Sequence, residues 1–141
     1  MGYFRGTTAR TRKHKRKLIK DFITFFQSLT ACFHKIIICI DTNEPFIRGK
    51  SVAAKLVELT DLVDSLINKY GIEGEPSTHH RGSHRTDFVF YTPSIEHFIS
   101  NIGILPIHEI SPSDHRVLFL DIDLHVFLQD LDHITSSNSR L

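Results

Sequence analysis

Lys35-Ile36-Ile37-Ile38-Cys39-Ile40-Asp41-Thr42-Asn43 is a short β-branched apolar run that ends in a carboxylate. Such a run reads as a buried strand with an acid at its tip, and Cys39 inside it reads as a small core residue. Thr42-Asn43-Glu44-Pro45 ends the strand, because proline disfavours its continuation.

On the amino-terminal side, Leu18, Ile19, Phe22, Ile23, Phe25, Phe26 and Leu29 recur at helical spacing and predict an amphipathic helix from Lys17 to Cys32. On the other side, Ser51 is placed to cap a second helix. Its inner face takes Val52, Leu56, Leu59, Leu62, Val63, Leu66 and Ile67, and Gly71 ends it. Residues 71–84 are polar and rich in Gly, His and Thr, the composition of a loop. Phe88-Val89-Phe90-Tyr91 reads as a strand, and Pro93 to Ser100 as a short helix. Ile102 to Pro106 reads as an edge strand, Ser111 to Asp114 as a turn, and Val117 to Leu124 as a half-exposed strand. Thr135 to Leu141 is a polar tail. With no internal repeat, the expected organisation is a basic arm or loop at 1–16, one α+β domain at 17–128 and a tail at 129–141.

The chain of 141 residues is long enough for one core, and its hydrophobic fraction of 40% is that of a globular rather than a disordered protein. Cys32 and Cys39 form no CxxC pair and no disulfide framework, which fits a reducing compartment. Ile36 to Ile40 is too short to cross a bilayer. The first twenty residues lack the apolar core of a secretory signal, and Gly6 replaces the Ser or Thr that myristoylation requires. The expectation is an intracellular protein, nuclear or cytoplasmic, with no membrane partner.

Charge is unevenly spread. The first twenty residues hold eight basic side chains and no acid, leaving nine basic against sixteen acidic residues in the remainder. A basic arm on an acidic body points to a polyanion, with Arg12, Lys13, Lys15, Arg16 and Lys17 as candidate nucleic-acid contacts. A solvated charged loop fits the same composition.

Polar clusters stand where strands begin or end. Asp41 and Asn43, two residues apart past a strand, can face one cleft, the acid taking a proton from water and the amide holding a phosphoryl oxygen. The same pair can be an ordinary Asx turn. Arg85-Thr86-Asp87 leads into the Phe88 strand, where Asp87 can orient a histidine or pair with Arg85. Ser113-Asp114-His115-Arg116 precedes the Val117 strand and offers a carboxylate beside an imidazole that titrates near neutral pH. A surface turn is the alternative there.

Ile38-Cys39-Ile40-Asp41-Thr42-Asn43 resembles the Gly-Asp-Phe-Asn motif of the endonuclease/exonuclease/phosphatase superfamily. Arg85-Thr86-Asp87-Phe88-Val89 resembles its Arg-Ile-Asp-Tyr-Ile segment, and Ser113-Asp114-His115 its closing Ser-Asp-His. Thr78-His79-His80-Arg81-Gly82-Ser83 is similar to the corresponding stretch of retroelement endonuclease domains. The resemblance spans Lys17 to Leu124 and extends to Tyr3-Phe4-Arg5. It implies a four-layer α/β sandwich, of which this chain would supply the carboxy-terminal half as a mixed β-sheet with flanking helices. It implies that Asp41 orients or deprotonates water, Asn43 holds nucleophile or phosphate, and Asp87 holds His115 against the scissile phosphate. Asp114 would help bind Mg2+ or Mn2+, and Arg85 would join the basic arm in contacting nucleic acid. The substrate would be a phosphodiester of nucleic acid, phosphoinositide or sphingomyelin, with the retroelement-like loop tilting toward DNA.

The sequence also departs from that pattern. Thr42 stands for the usual aromatic or aliphatic residue and Ile40 for the glycine. The family's further half, with an Asn, the main metal-binding Glu and a Tyr or His, has no counterpart before Asp41, so Met1 is expected to fall mid-domain. The functional expectation is a truncated metal-dependent phosphodiesterase, weak or inactive, or a non-catalytic nucleic-acid-binding remnant of a retroelement. A half sandwich leaves a sheet face uncovered. At about 25 cal/mol per Å² of apolar surface this favours self-association through that face.

Overall fold

The computed structural model describes residues 9–72, 74, 76–79, 82–105 and 113–130, with side chains from residue 13 onward. The expectations for the Arg12 side chain, Tyr3-Phe4-Arg5, His80, Arg81, Pro106, Ser111-Pro112 and Thr135 to Leu141 fall outside those residues. The chain forms two compact units, Met1–His34 and Lys35–Leu141.

Among the described residues the first unit holds one helix, α1 (Ala9–Ala31). It begins earlier than its apolar periodicity predicts, because Lys and Arg are good helix formers whether or not they face a core. Its end is a Schellman turn. The Phe33 and His34 N–H groups donate to the Thr30 and Leu29 carbonyls, with Phe33 in the left-handed region at φ 60.

The second unit is α+β. Strands β1 (Ile37–Asp41), β2 (Val63–Asp64) and β3 (Asp87–Tyr91) form a three-stranded sheet in the order β1-β3-β2. Strands β4 (Ile99–Leu105) and β5 (Val117–Ile122) form a second sheet of two. Among the described residues every strand pair is antiparallel, where a mixed sheet was expected. Helices α2 (Val52–Thr60) and α3 (Ser65–Tyr70) and a 3-10 helix (Pro93–Phe98) join the strands, and residues 124–130 are helical again. No helix among the described residues is long and apolar enough to cross a membrane.

The core gathers Leu66, Tyr91, Ile95, Phe98 and Ile102, with Val63, Leu118, Leu120 and Phe127 packed against it. β3 lies between two strands, which is why Phe88 to Tyr91 are all buried. β1 lies at the sheet edge and alternates instead. Ile38 is buried, whereas Ile37 and Cys39 are exposed, so Cys39 is not the core residue that its apolar run predicts.

The predicted second helix is two helices. Ser51 caps the first as expected, its hydroxyl accepting the Ala54 N–H, and Gly71 ends the second at φ 76. Between them Asp61 turns left-handed at φ 55, and Val63 and Asp64 pair with Tyr91 and Phe90 of β3. Asp64 then caps α3, its carboxylate accepting the Leu66 and Ile67 N–H groups. The apolar spacing continues through residues 61–64, but burial of Asp64 beside Arg85 breaks the helix.

Candidate active site

Asp41 and Asp87 end facing strands. β1 and β3 are in register from Ile37↔Tyr91 to Asp41↔Asp87, so the two carboxylate residues lie directly opposite each other. Like charges directly opposite each other are destabilising, and His115 stands against this pair. Its Nδ1 lies 3.0 Å from each Asp87 oxygen, and the hydrogen bond to Asp87 raises the His115 pKa above its ordinary value, with Asp87, Asp41 and Asp114 adding Coulombic support. Desolvation opposes the shift without cancelling it. Asp41, Asp87 and His115 bring one ligand atom each within 4.8 Å of one another.

Local backbone chemistry fixes the strand tip. Asp41 Oδ1 accepts the Asn43 N–H at 2.8 Å, and Asn43 is exposed with φ 51. The Asx turn and the candidate acid are therefore the same residue. The hydroxyl of Thr42, at the position where the superfamily motif carries an aromatic, lies 2.8 Å from the Glu44 carbonyl and 3.1 Å from the Thr86 carbonyl, tying the turn to the start of β3. Glu44 itself accepts the Val52 N–H at 2.5 Å and so serves the first turn of α2.

His115 reaches Asp87 because its backbone pairs with the loop before β3. His79 and His115 form an antiparallel bridge, and the Arg116 N–H donates to the Thr78 carbonyl at 2.7 Å. Thr78 is fully buried, and its hydroxyl accepts the N–H groups of both Thr86 and Asp87, at 3.0 and 3.1 Å. Ser113 Oγ accepts the His115 N–H at 3.1 Å and closes the turn.

Asp114 lies on the solvent side of His115, with its side chain 69% exposed and Oδ1 3.9 Å from His115 Nε2. Its own backbone N–H and the His79 ring hold its carboxyl below the usual carboxylate range. His79, in the loop that the composition of residues 71–84 predicts, stands beside the site: its Nε2 lies 3.1 Å from Asp114 Oδ2, and its ring stands edge-on to His115 with centroids 5.2 Å apart. Only the Thr78-His79-His80-Arg81-Gly82-Ser83 resemblance pointed toward it, because its partners lie far along the chain.

Arg85 is a correction. It was expected to touch nucleic acid, but its side chain is fully buried, with Nη1 and Nη2 each 2.7 Å from an Asp64 oxygen. Its guanidinium also lies 4.3 Å from the Phe88 ring centroid. A group so enclosed cannot reach a phosphate. In α1, by contrast, Lys13, Lys15, Arg16 and Lys17 are all exposed, and Lys13, Arg16, Lys17 and Lys20 recur at the spacing of a single helix face.

Mg2+ and Mn2+ require sets dominated by oxygen donors. Among the described residues, the groups that bring three possible ligand atoms together are Asp41/Asp87/His115 and His79/Asp114/His115, and each contains an imidazole. Both oxygens of Asp87 already face His115. This donor set does not fit a hard cation held by protein carboxylates. No protein-family model matches the chain, and comparison with curated proteins and with solved structures finds no match.

Proposed function

We propose that the Asp41–Asp87–His115 chain is the phosphodiester-cleaving part of an endonuclease-type site whose described residues bring together no oxygen-dominated set for a hard metal ion. The observation that supports this reading is the double contact between His115 Nδ1 and the Asp87 carboxylate, 3.0 Å to each oxygen. A proton on Nδ1 donated to Asp87 fixes the ring and leaves Nε2 for a non-bridging phosphate oxygen. The raised His115 pKa favours the imidazolium, whose charge stabilises a pentacovalent phosphate. Asp41, exposed on the opposite strand, takes the proton of the water that attacks phosphorus, while the bond from phosphorus to the leaving oxygen breaks and that oxygen takes a proton from solvent. The exposed cations of α1 favour a polyanionic substrate, DNA in the superfamily that the sequence resembles.

Without a hard cation most of the electrostatic stabilisation is missing, so nicking of supercoiled plasmid in magnesium should be barely detectable. Supplying the amino-terminal half of a retroelement endonuclease in trans should raise nicking, and His115→Ala should abolish the gain. No His115-dependent nicking in either arrangement would overturn the reading.

A second reading, a non-catalytic nucleic-acid-binding remnant, is favoured by the basic face of α1. DNA affinity that survives His115→Ala, with no nicking under any condition, would select it.

A further inference from the structure

The geometry points to a site for a divalent transition metal of the zinc class, formed by His79, Asp114 and His115. It stands on ligand geometry rather than on phosphodiester cleavage, and an ion there takes the same His115 Nε2 that would otherwise face a phosphate.

Two nitrogen donors and one carboxylate oxygen are the donor types that borderline cations such as Zn2+ prefer. Asp114 spans the two imidazoles: Oδ2 lies 3.1 Å from His79 Nε2, and Oδ1 lies 3.9 Å from His115 Nε2. One atom from each residue falls within 4.8 Å of the others. A tetrahedral ion with bonds of about 2.0–2.1 Å holds its ligand atoms about 3.3–3.4 Å apart, so small side-chain rotations close these spacings around one ion.

The support behind the ligands is of the kind metal sites use. A metal-binding histidine normally donates its other ring N–H to a carboxylate, which fixes the tautomer and raises its basicity. His115 does this through Nδ1 to Asp87, leaving Nε2 on the Asp114 side. The backbone bridge between His79 and His115, next to buried Thr78, holds the two residues side by side before any ion arrives. The His79 and His115 side chains are 31% and 33% exposed, so an ion can enter from solvent and keep a water as its fourth ligand.

The test is calorimetric titration of the chelator-washed full chain with Zn2+, repeated with Co2+ while the visible absorption of the bound ion is recorded. One equivalent should bind, with a Co2+ spectrum of four-coordinate nitrogen and oxygen ligation, and a large excess of Mg2+ should not displace it. His79→Ala should abolish the binding and His79→Cys, a competent zinc ligand, should retain it. Asp87→Asn should weaken it by ~10–100-fold, and His97→Ala should leave it unchanged. No bound Zn2+ in a chain that keeps its circular-dichroism spectrum would overturn the proposal. So would binding that is indifferent to His79→Ala, which would assign the metal to other histidines.

Discussion

Arg85 and Asp64 form a buried two-point ion pair, Nη1 to Oδ1 and Nη2 to Oδ2 at 2.7 Å each, with side-chain exposures of 0% and 3%. The pair joins the residue before α3 to the approach of β3, and the same carboxylate caps α3. Removing one partner strands a charge away from water. Arg85→Ala and Asp64→Ala should each cost about 3–5 kcal/mol, read as a lower urea midpoint at unchanged slope. Arg85→Lys should recover little, because an ammonium cannot meet both oxygens in the same plane. Losses below about 1 kcal/mol would mean that the pair behaves like a surface bridge.

The histidine and acid of the candidate site give opposite pH signs. His115 has a raised pKa, so its stabilisation is complete below its ordinary value of 6.5 and is lost as pH rises through the higher folded value. Asp114 has a lowered pKa, so its contribution is complete above 3.8 and is lost as pH falls through the lower folded value. Both contributions are therefore complete between 3.8 and 6.5. NMR titration with chelator present should place His115 above 6.5 in the wild type, and Asp87→Asn should lower it. No difference between the two proteins would remove Asp87 as the dominant partner.

Binding of DNA through α1 should be electrostatic and indifferent to sequence. Replacing Lys13, Arg16 and Lys17 with Ala should flatten the dependence of log affinity on log salt by about 2.7, since three phosphate contacts disappear. Any loss in Arg85→Ala should follow its lost stability and leave that slope unchanged. An unaltered slope in the triple variant would leave α1 outside the interface.

Self-association through an exposed part of the three-stranded sheet, if the chain associates, should depend on Ile37. β1 is an edge strand, and Ile37 on it is 41% exposed. Ile37→Lys places a charge where a second strand would pair, the device natural edges use against pairing. Sedimentation should then detect less oligomer, with stability changed by no more than about 0.5 kcal/mol. Equal association by the variant would point to another surface.

The features that the sequence revealed are those set by neighbours close along the chain. The Ser51 cap, the Gly71 stop, the Asp41 turn and the Phe88 strand each depend on residues a few positions away. The break between α2 and α3 depends on an ion pair 21 residues apart, and periodicity carries no trace of it. His79 depends on Asp114, 35 residues on. The exposure of Cys39 was hidden for a related reason. An apolar run does not reveal whether its strand lies in the middle of a sheet or at its edge, and that depends on β3 and β2 arriving later in the chain.

Thr78 gives the site a particular way of opening. One hydroxyl oxygen receives the amide protons of Thr86 and Asp87, and the carbonyl of the same residue receives that of Arg116. These amides cannot be released one at a time without leaving a buried group unsatisfied. They should exchange with solvent together, as one small cooperative unit. A fluctuation that lifts Thr78 should therefore loosen the Asp87–His115 and His79–His115 contacts together.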